Sequence, residues 1–155
     1  PDLAMKVTNR RVLMDTDVTM FVTVFYGVLD PRMGKLSYCN AGHNPPFLLR
    51  AGDGREMERL TRTGMALGAA RGTSWEKRVI SMNAGDTLVL YSDGLTDMQD
   101  EAGAFFGEER LQRAIRANGG RPAQQMQRAL LQAGQAFSGG ESSFDDVTLM
   151  ILVQD

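Results

Sequence analysis

The chain has 155 residues, 43% of them hydrophobic and 23% charged, which are proportions typical of a globular domain. Its 17 basic and 19 acidic residues are mixed along the chain and leave a formal net charge of −2, so the charge pattern favours neither a nucleic-acid nor a membrane partner. Cys39 is the single cysteine, which excludes an internal disulfide framework, and no apolar run reaches the about 20 residues that span a bilayer. We therefore expect a cytoplasmic protein.

The first elements in the chain are a helix and a hairpin. Residues 2–14 predict a short helix, because Leu3, Val7 and Arg10 or Arg11 lie at helical spacing. Residues 21–29 are rich in β-branched and aromatic side chains and predict a strand, and turn residues at 30–34 lead into a second extended run at 35–39. These two strands are expected to pair as a hairpin.

Four further strands are predicted before the chain turns helical, at residues 46–50, 57–60, 75–81 and 87–91. Short turns join consecutive strands, so we expect an antiparallel, meandering sheet. The run at 87–91 is apolar on both faces, which is typical of a central buried strand.

The last third of the chain predicts two amphipathic helices and a closing strand. One helix follows Gly107 and the second covers residues 122–137, with apolar residues on one face of each. Residues 146–153 read as the final strand. Strands followed by helices, with no repeated βαβ unit, predict an α+β fold.

Two acidic signatures are the most informative local features. Asp93 follows the strand at 87–91, and the pair Asp145 and Asp146 precedes the closing strand. We expect these two strands to be adjacent and central, with their loop ends on one side, where distant carboxylates can converge on a hard divalent cation. The alternatives are a turn-forming role for Asp93 and simple loop solvation for Asp145 and Asp146, although adjacent carboxylates repel each other unless a cation or hydrogen bonds compensate.

Other reactive side chains point to structural roles. His43 is the only histidine and has no second histidine or nucleophile near it in sequence, which favours a structural hydrogen bond over catalysis. Cys39 lies within a strand pattern without basic neighbours, as an inert buried thiol would. No glycine-rich phosphate-binding loop precedes a helix, so no catalytic or nucleotide-binding side chain is assigned.

Five segments together resemble the bacterial stage II sporulation E type of PPM phosphatase, and they occur in that family's order. They are FVT at 21–23, YCNAGHNPP at 38–46, the stretch from GD at 85–86 to YSDGLTD at 91–97, FGEERL at 106–111 and DDVT at 145–148. The resemblance implies an α-β-β-α sandwich that hydrolyses phosphoserine or phosphothreonine in a protein by means of two manganese or magnesium ions. It implies that Asp93 and Asp145 bind metal, with Asp146 as a further ligand.

The sequence departs from that family at its front. A Gly-Asp-aromatic-Tyr-Asp motif, whose first aspartate bridges both metals in the family, does not occur in these residues, nor does the long helix that follows it. The chain also opens on Pro1 without a leader. We therefore expect residues 1–155 to be an excised, partial phosphatase domain that lacks the N-terminal strands and first long helix and has at most one weak metal site.

The resemblance also implies partners. It suggests a phosphorylated anti-sigma-factor antagonist as substrate and an upstream sensor or receiver domain as regulator. Unpaired strand edges predict self-association of the isolated chain. Two other functions stay open: a pseudophosphatase that binds its partner without turnover, and a structural half-sandwich whose acidic residues only solvate loops.

Overall fold

The computed structural model of the chain describes residues 1–15, 20–52, 55–139 and 146–154, which contain both helices and strands. The helices are α1 (Asp2–Asp15), α2 (Asp93–Thr96), α3 (Gly107–Asn118) and α4 (Ala123–Phe137). The strands are β1 (Val24–Asp30), β2 (Lys35–Ala41), β3 (Phe47–Leu49), β4 (Met57–Arg59), β5 (Arg78–Ser81), β6 (Thr87–Tyr91) and β7 (Leu149–Val153). None of the helices in these residues has the length and apolar character needed to cross a membrane.

The chain divides into two compact units. The first unit consists of Pro1–Pro45 and Leu60–Met82, and the second of Pro46–Arg59 and Asn83–Asp155. Each unit is therefore built from two separate stretches of the chain. The assignment of residues 1–155 to one partial domain stays a prediction.

The first unit contains a three-stranded antiparallel sheet in the order β1-β2-β5. The predicted hairpin is confirmed, with β1 and β2 in register from Val24 opposite Ala41 to Asp30 opposite Lys35. Helix α1, also as predicted, contributes to a buried cluster together with β2 and the segment that precedes β5. The buried residues of this cluster are Met5, Cys39, Ala41, Leu67 and Trp75.

The second unit contains a four-stranded antiparallel sheet in the order β4-β3-β6-β7. Strand β6 has the predicted bounds and is buried along most of its length, as its apolar residues on both faces require. Helices α3 and α4 supply the other side of the core through Leu111, Ile115, Met126 and Leu130, each fully buried. Both helices were predicted from their apolar faces.

The strand pattern correctly predicted antiparallel pairing, but its prediction of one meandering sheet is wrong, since the described strands form two sheets, as the family resemblance implied. After the β1–β2 hairpin the chain leaves the first sheet, forms β3 and β4 of the second, and returns to place β5 beside β2. Turn residues show where a strand ends but do not show which strand the next one pairs with, so the sequence pattern is the same for both topologies. The predicted central position of β7 is also wrong, because β7 is an edge strand of the sheet that the described residues form.

Strand β5 is shorter than predicted for a local reason. The indole of Trp75 donates a hydrogen bond to the Met65 carbonyl (2.8 Å), and the Glu76 amide donates to the Thr63 carbonyl (3.1 Å). Residues 75–76 are therefore bonded to the segment at 63–65, and pairing with β2 begins only at Arg78.

Candidate metal centre

The pairing of β6 with β7 brings both acidic signatures to one sheet edge. The two strands are antiparallel, in register from Thr87 opposite Val153 to Tyr91 opposite Leu149. The end of β6 and the start of β7 therefore lie side by side, as the sequence predicted for this pair. Asp93 follows that end of β6, Asp146 precedes the start of β7, and both residues are exposed.

Ser92 connects the two loops directly. Its hydroxyl donates a hydrogen bond to the Asp146 carbonyl (3.1 Å) and accepts one from the Thr148 amide (2.8 Å). Its backbone amide also donates to the Thr148 carbonyl (3.0 Å). The ladder thus ends in a side-chain clip, which is why β7 begins at Leu149 although the sequence predicted it from residue 146. We call these three hydrogen bonds the Ser92 clip.

The sequence pattern alone does not distinguish Ser92 from its neighbours. Its position directly after a strand does suggest a hydrogen bond to the backbone, because serine hydroxyls often bond to neighbouring backbone groups. That signal does not specify a partner 54 residues later in the chain.

Helix α2 fixes the backbone of Asp93. Asp93 is its first residue, and the Asp97 amide donates to the Asp93 carbonyl (2.8 Å). One carboxylate oxygen of Asp93 accepts a hydrogen bond from the Gly94 amide (3.1 Å). Leu95 is fully buried in the core of the second unit and anchors the helix there, whereas Asp93 is exposed to solvent. The sequence pattern did not predict this short helix.

The last residue of β6 is held by a partly buried polar contact. The Tyr91 hydroxyl donates to Glu108 (3.1 Å), and Glu108 pairs with Arg59 (2.7 Å). Burial, together with the negative charge of Glu108, raises the pKa of Tyr91 well above its usual value. Tyr91 therefore stays a neutral hydrogen-bond donor, and the strand end next to Ser92 has a fixed position.

The structure describes two of the three predicted metal ligands. Asp93 and Asp146 lie at the same edge, and their carboxylate oxygens are the ligand type that magnesium and manganese take. Asp145 lies outside the described residues. In the described part of the chain no three His, Cys, Asp or Glu side chains gather closely enough to hold an ion. Metal binding by Asp93, Asp145 and Asp146 stays a prediction. The carboxylate chemistry of all three residues fits it, as does the shared edge of Asp93 and Asp146.

The histidine loop of the first unit is organised by Asn40. This side chain is fully buried, accepts a hydrogen bond from the His43 amide (2.9 Å) and donates one to the Leu60 carbonyl (3.1 Å). The His43 ring nitrogen Nδ1 lies 3.3 Å from the Thr23 hydroxyl. The structural role inferred for His43 stays a prediction, which these hydrogen bonds fit.

Cys39 is fully buried, and its thiol donates to the Glu76 carbonyl (3.4 Å). Burial raises the pKa of this thiol, because the thiolate would lose its hydration. A protonated, inaccessible thiol is unreactive, so the interpretation of Cys39 as an inert buried residue agrees with the structure.

Asp86 is a buried acidic residue with a structural role. It is 2% exposed and accepts hydrogen bonds from the Ala51 amide (2.8 Å), the Asn83 amide (2.9 Å) and the Arg50 guanidinium (2.7 Å). Burial by itself raises the pKa of Asp86, but these donors outweigh it and hold the pKa below its usual value. The carboxylate closes the turn before β6 and does not belong to the metal centre.

Comparison with known proteins identifies the family that this sequence matches. The family model described as Stage II sporulation protein E (SpoIIE) matches residues 1–154. Protein IcfG of Synechocystis sp. is 32% identical over 153 residues, and phosphoserine phosphatase RsbU of Bacillus subtilis is 29% identical over 152 residues. Each match covers 98% of this chain, but only 24% of IcfG and 44% of RsbU. The chain thus spans less than half the length of these relatives.

Two solved phosphatase domains share the fold. The SiaA-PP2C domain of Pseudomonas aeruginosa aligns with a TM-score of 0.82 at 20% identity, over all of this chain and 60% of that one. The manganese-soaked SpoIIE phosphatase domain of Bacillus subtilis aligns with a TM-score of 0.70 at 18% identity, over 99% of this chain and 66% of that one. The predicted fold class, α+β of the PPM or PP2C phosphatase type, is therefore confirmed.

Proposed function

Because the chain belongs to the stage II sporulation protein E family, we propose that it forms part of a phosphatase domain that removes phosphate from serine or threonine in a regulatory protein. The name of RsbU, a phosphoserine phosphatase, supports this reaction. The substrate is a phosphorylated anti-sigma-factor antagonist, an upstream sensor or receiver domain regulates the enzyme, and the protein acts in the cytoplasm in bacterial stress or developmental signalling.

One observation of this chain carries the proposal. The Ser92 clip joins the loop that bears Asp93 to the segment that bears Asp146, although the two are far apart in sequence. Carboxylates brought to one edge repel each other in the absence of a cation. A fold that holds both loops together at an exposed edge is therefore suited to binding a divalent ion there.

The residues have distinct tasks in this proposal. Asp93 and Asp145, with Asp146, hold a manganese or magnesium ion, Ser92 fixes the distance between their loops, and Tyr91 anchors the strand end. A pair of such ions, when bound, activates a water molecule and stabilises charge on the phosphoryl group during in-line displacement. The soaking of the SpoIIE phosphatase domain with manganese supports the choice of metal.

The direct test is the substitution Asp93→Asn in the full-length protein. We expect phosphate release from a phosphoserine protein to fall by a factor of about 100 or more, because a ligand charge is removed from the metal site. The melting temperature without metal stays the same or rises slightly, since carboxylate repulsion is relieved. Phosphate release is measured by a coupled colour assay over a series of manganese concentrations.

Glu101→Gln is the matched control, because Glu101 is an exposed carboxylate of the same unit, in the loop that follows α2. This variant should keep normal turnover. Near-normal turnover by Asp93→Asn would contradict the metal role. If the unaltered full-length protein binds a phosphoprotein but releases no phosphate at any manganese concentration, the pseudophosphatase alternative holds instead.

A further inference from the structure

A groove lies between α1 and the loop at residues 71–74 in the first unit. Two cavities of about 340 and 330 Å³ form it, and they share Asn9, Arg10 and Gly72 in their linings. Because they share these lining residues, the two cavities are neighbours, and together their linings take in residues of α1 from Lys6 to Met14. We call this feature the α1 groove.

The α1 groove is basic. Lys6, Arg10 and Arg71 line it and are exposed, and Lys6 and Arg10 lie one helical turn apart on the same face of α1. No carboxylate occurs among the described residues of its lining, and the ion pairs found in the described chain involve none of these three cations. Since the chain as a whole carries a charge of −2, this positive groove is a local arrangement.

The floor of the groove is fixed. Asn9 is 3% exposed, and its side chain accepts a hydrogen bond from the Gly68 amide (2.8 Å) and donates one to the Ala70 carbonyl (3.1 Å). The Thr73 hydroxyl donates to the same carbonyl (3.1 Å). The buried amide of Asn9 therefore holds α1 and the loop together. Because the groove is formed before a ligand arrives, binding costs little free energy for ordering the protein.

We propose that the α1 groove binds an acidic segment of the protein substrate, an inference that rests on the proposed phosphatase function. Residues 6–14 of α1 span about 12 Å at 1.5 Å per residue, which matches about four residues of extended peptide. The three cations attract carboxylates or a phosphate along this length, and Leu13 and Met14 at one end offer apolar surface to a neighbouring side chain. The groove thus recognises a short run of acidic residues next to an apolar one.

Binding is tested without catalysis, in full-length protein that carries Asp93→Asn. The probe is a fluorescein-labelled peptide of six glutamates followed by two leucines, with glutamines in place of the glutamates as the uncharged reference. We expect the acidic peptide to bind at least about tenfold more tightly at low salt, and to lose that advantage as salt shortens the Debye length from about 14 Å to about 5 Å. Fluorescence anisotropy gives both dissociation constants.

Charge reversal locates the site. The double substitution Arg10→Glu with Arg71→Glu should weaken binding of the acidic peptide by about tenfold or more. The control reverses Arg32 and Arg62, two exposed arginines of the same unit outside the groove, with the same change in net charge. It should change binding by less than about twofold. Equal losses in both pairs would mean that the peptide follows net charge alone, and the proposal would be wrong.

Two further measurements separate folding and catalysis from docking. The milder pair Arg10→Gln with Arg71→Gln should show an intermediate loss at an unchanged melting temperature. In protein with Asp93 intact, the groove variants should raise the KM for a phosphoprotein but leave hydrolysis of p-nitrophenyl phosphate unchanged. Absence of hydrolysis in the unaltered protein would refute the proposed function, whereas absence of acidic-peptide binding would refute the groove.

Discussion

The hydroxyl of Ser92 holds the two acidic loops together with two hydrogen bonds, one donated and one accepted. Ser92→Ala removes both and leaves the Thr148 amide without this partner. We expect the free energy of unfolding to fall by about 1–2 kcal/mol, since Ser92 is only half-buried and water can replace part of the contact.

The larger effect of Ser92→Ala should be on metal binding in the full-length protein. Loosened loops hold their carboxylates less precisely, so the manganese concentration for half-maximal turnover should rise about tenfold. Isothermal titration with manganese checks the same loss without turnover. Ser92→Thr keeps the hydroxyl and should retain normal affinity, and an Ala variant with unchanged affinity would exclude a positioning role.

Asp86 has a pKa below its usual value in the folded protein, which makes its contribution to stability depend on pH. Because the folded-state pKa is lowered, the contribution is complete above the unfolded value of about 3.9 and is lost as the pH falls through the folded-state pKa. At pH 7, Asp86→Asn should lower the free energy of unfolding by about 2–3 kcal/mol, since charge-assisted hydrogen bonds are lost. This difference should hold down to about pH 5 and shrink below about pH 4.

Urea unfolding of both forms between pH 7 and pH 3 measures the Asp86 difference. Glu58→Gln is the control, because Glu58 pairs with the same Arg50 but its side chain is 47% exposed. It should cost about 1 kcal/mol or less. A difference for Asp86→Asn that stays constant down to pH 3 would show that the carboxylate charge is not what stabilises the turn.

The sequence distinguishes residue types at this scale but not their surroundings. Asp86 and Asp93 both lie beside a glycine at an end of strand β6. One is buried among three hydrogen-bond donors, and the other is exposed at the end where β7 begins. Burial depends on the strand that pairs alongside, so the sequence predicted the acidic edge without revealing that Ser92 connects it.

At the level of elements, the turn between β1 and β2 depends on Gly34. Its φ of +58° is costly for other residues, and a Cβ there would lie 2.3 Å from the Met82 carbonyl oxygen. The Met82 amide donates to the Gly34 carbonyl (2.6 Å), so Met82 cannot withdraw without losing this bond. Gly34→Ala should therefore cost about 3 kcal/mol, from backbone strain together with overpacking.

Gly72→Ala is the matched comparison for Gly34→Ala. Gly72 has a similar φ of +73°, but a Cβ there meets nothing within 4 Å. Only the backbone strain of about 1 kcal/mol is expected. Thermal unfolding of both variants by circular dichroism measures the difference, and equal costs would show that the contact with Met82 relaxes freely.

Elements were predictable where local chemistry decides them. Strand β6, helices α3 and α4 and the β1–β2 hairpin follow from apolar periodicity and turn residues. Helix α2 is only four residues long and has too few positions to show a helical period. The family resemblance predicted two sheets, but the strand pattern did not show which strands belong to each, because strand pairing depends on contacts between distant residues.

For the whole molecule, we expect metal binding to require residues upstream of this chain. Near its dissociation constant, manganese stabilises a fold by only about 0.4 kcal/mol, against about 2.7 kcal/mol at a hundredfold excess. Millimolar manganese should therefore raise the melting temperature of the 155-residue chain by about 1–2 °C, and that of a chain extended upstream through the acidic motif by about 5–10 °C.

The decisive comparison places both chains side by side, by differential scanning fluorimetry with and without manganese. Sodium chloride at the same ionic strength serves as the control for unspecific salt effects. Equal manganese shifts in the short and extended chains would show that the site is complete within residues 1–155. The expectation of a partial site would then be wrong.

Self-association of the isolated chain stays a prediction at this scale. Large apolar side chains are exposed on elements of the first unit, where they offer surface for contact with another chain. They include Leu3, Val7 and Met14 on α1, Tyr26 and Val28 on β1, and Val79 on β5.

The interleaved order of the strands has a consequence for synthesis on the ribosome. Strand β3 leaves the ribosome early, but its partner β6 ends 42 residues after β3 does, at Tyr91 rather than Leu49. At about 5–20 residues per second, translation takes roughly 2–8 s to make that stretch. For those seconds Phe47, Leu48 and Leu49, all buried in the finished protein, have only β4 beside them. The nascent chain therefore exposes an apolar hairpin until β6 has been made. We expect chaperone binding during synthesis to matter most in this interval.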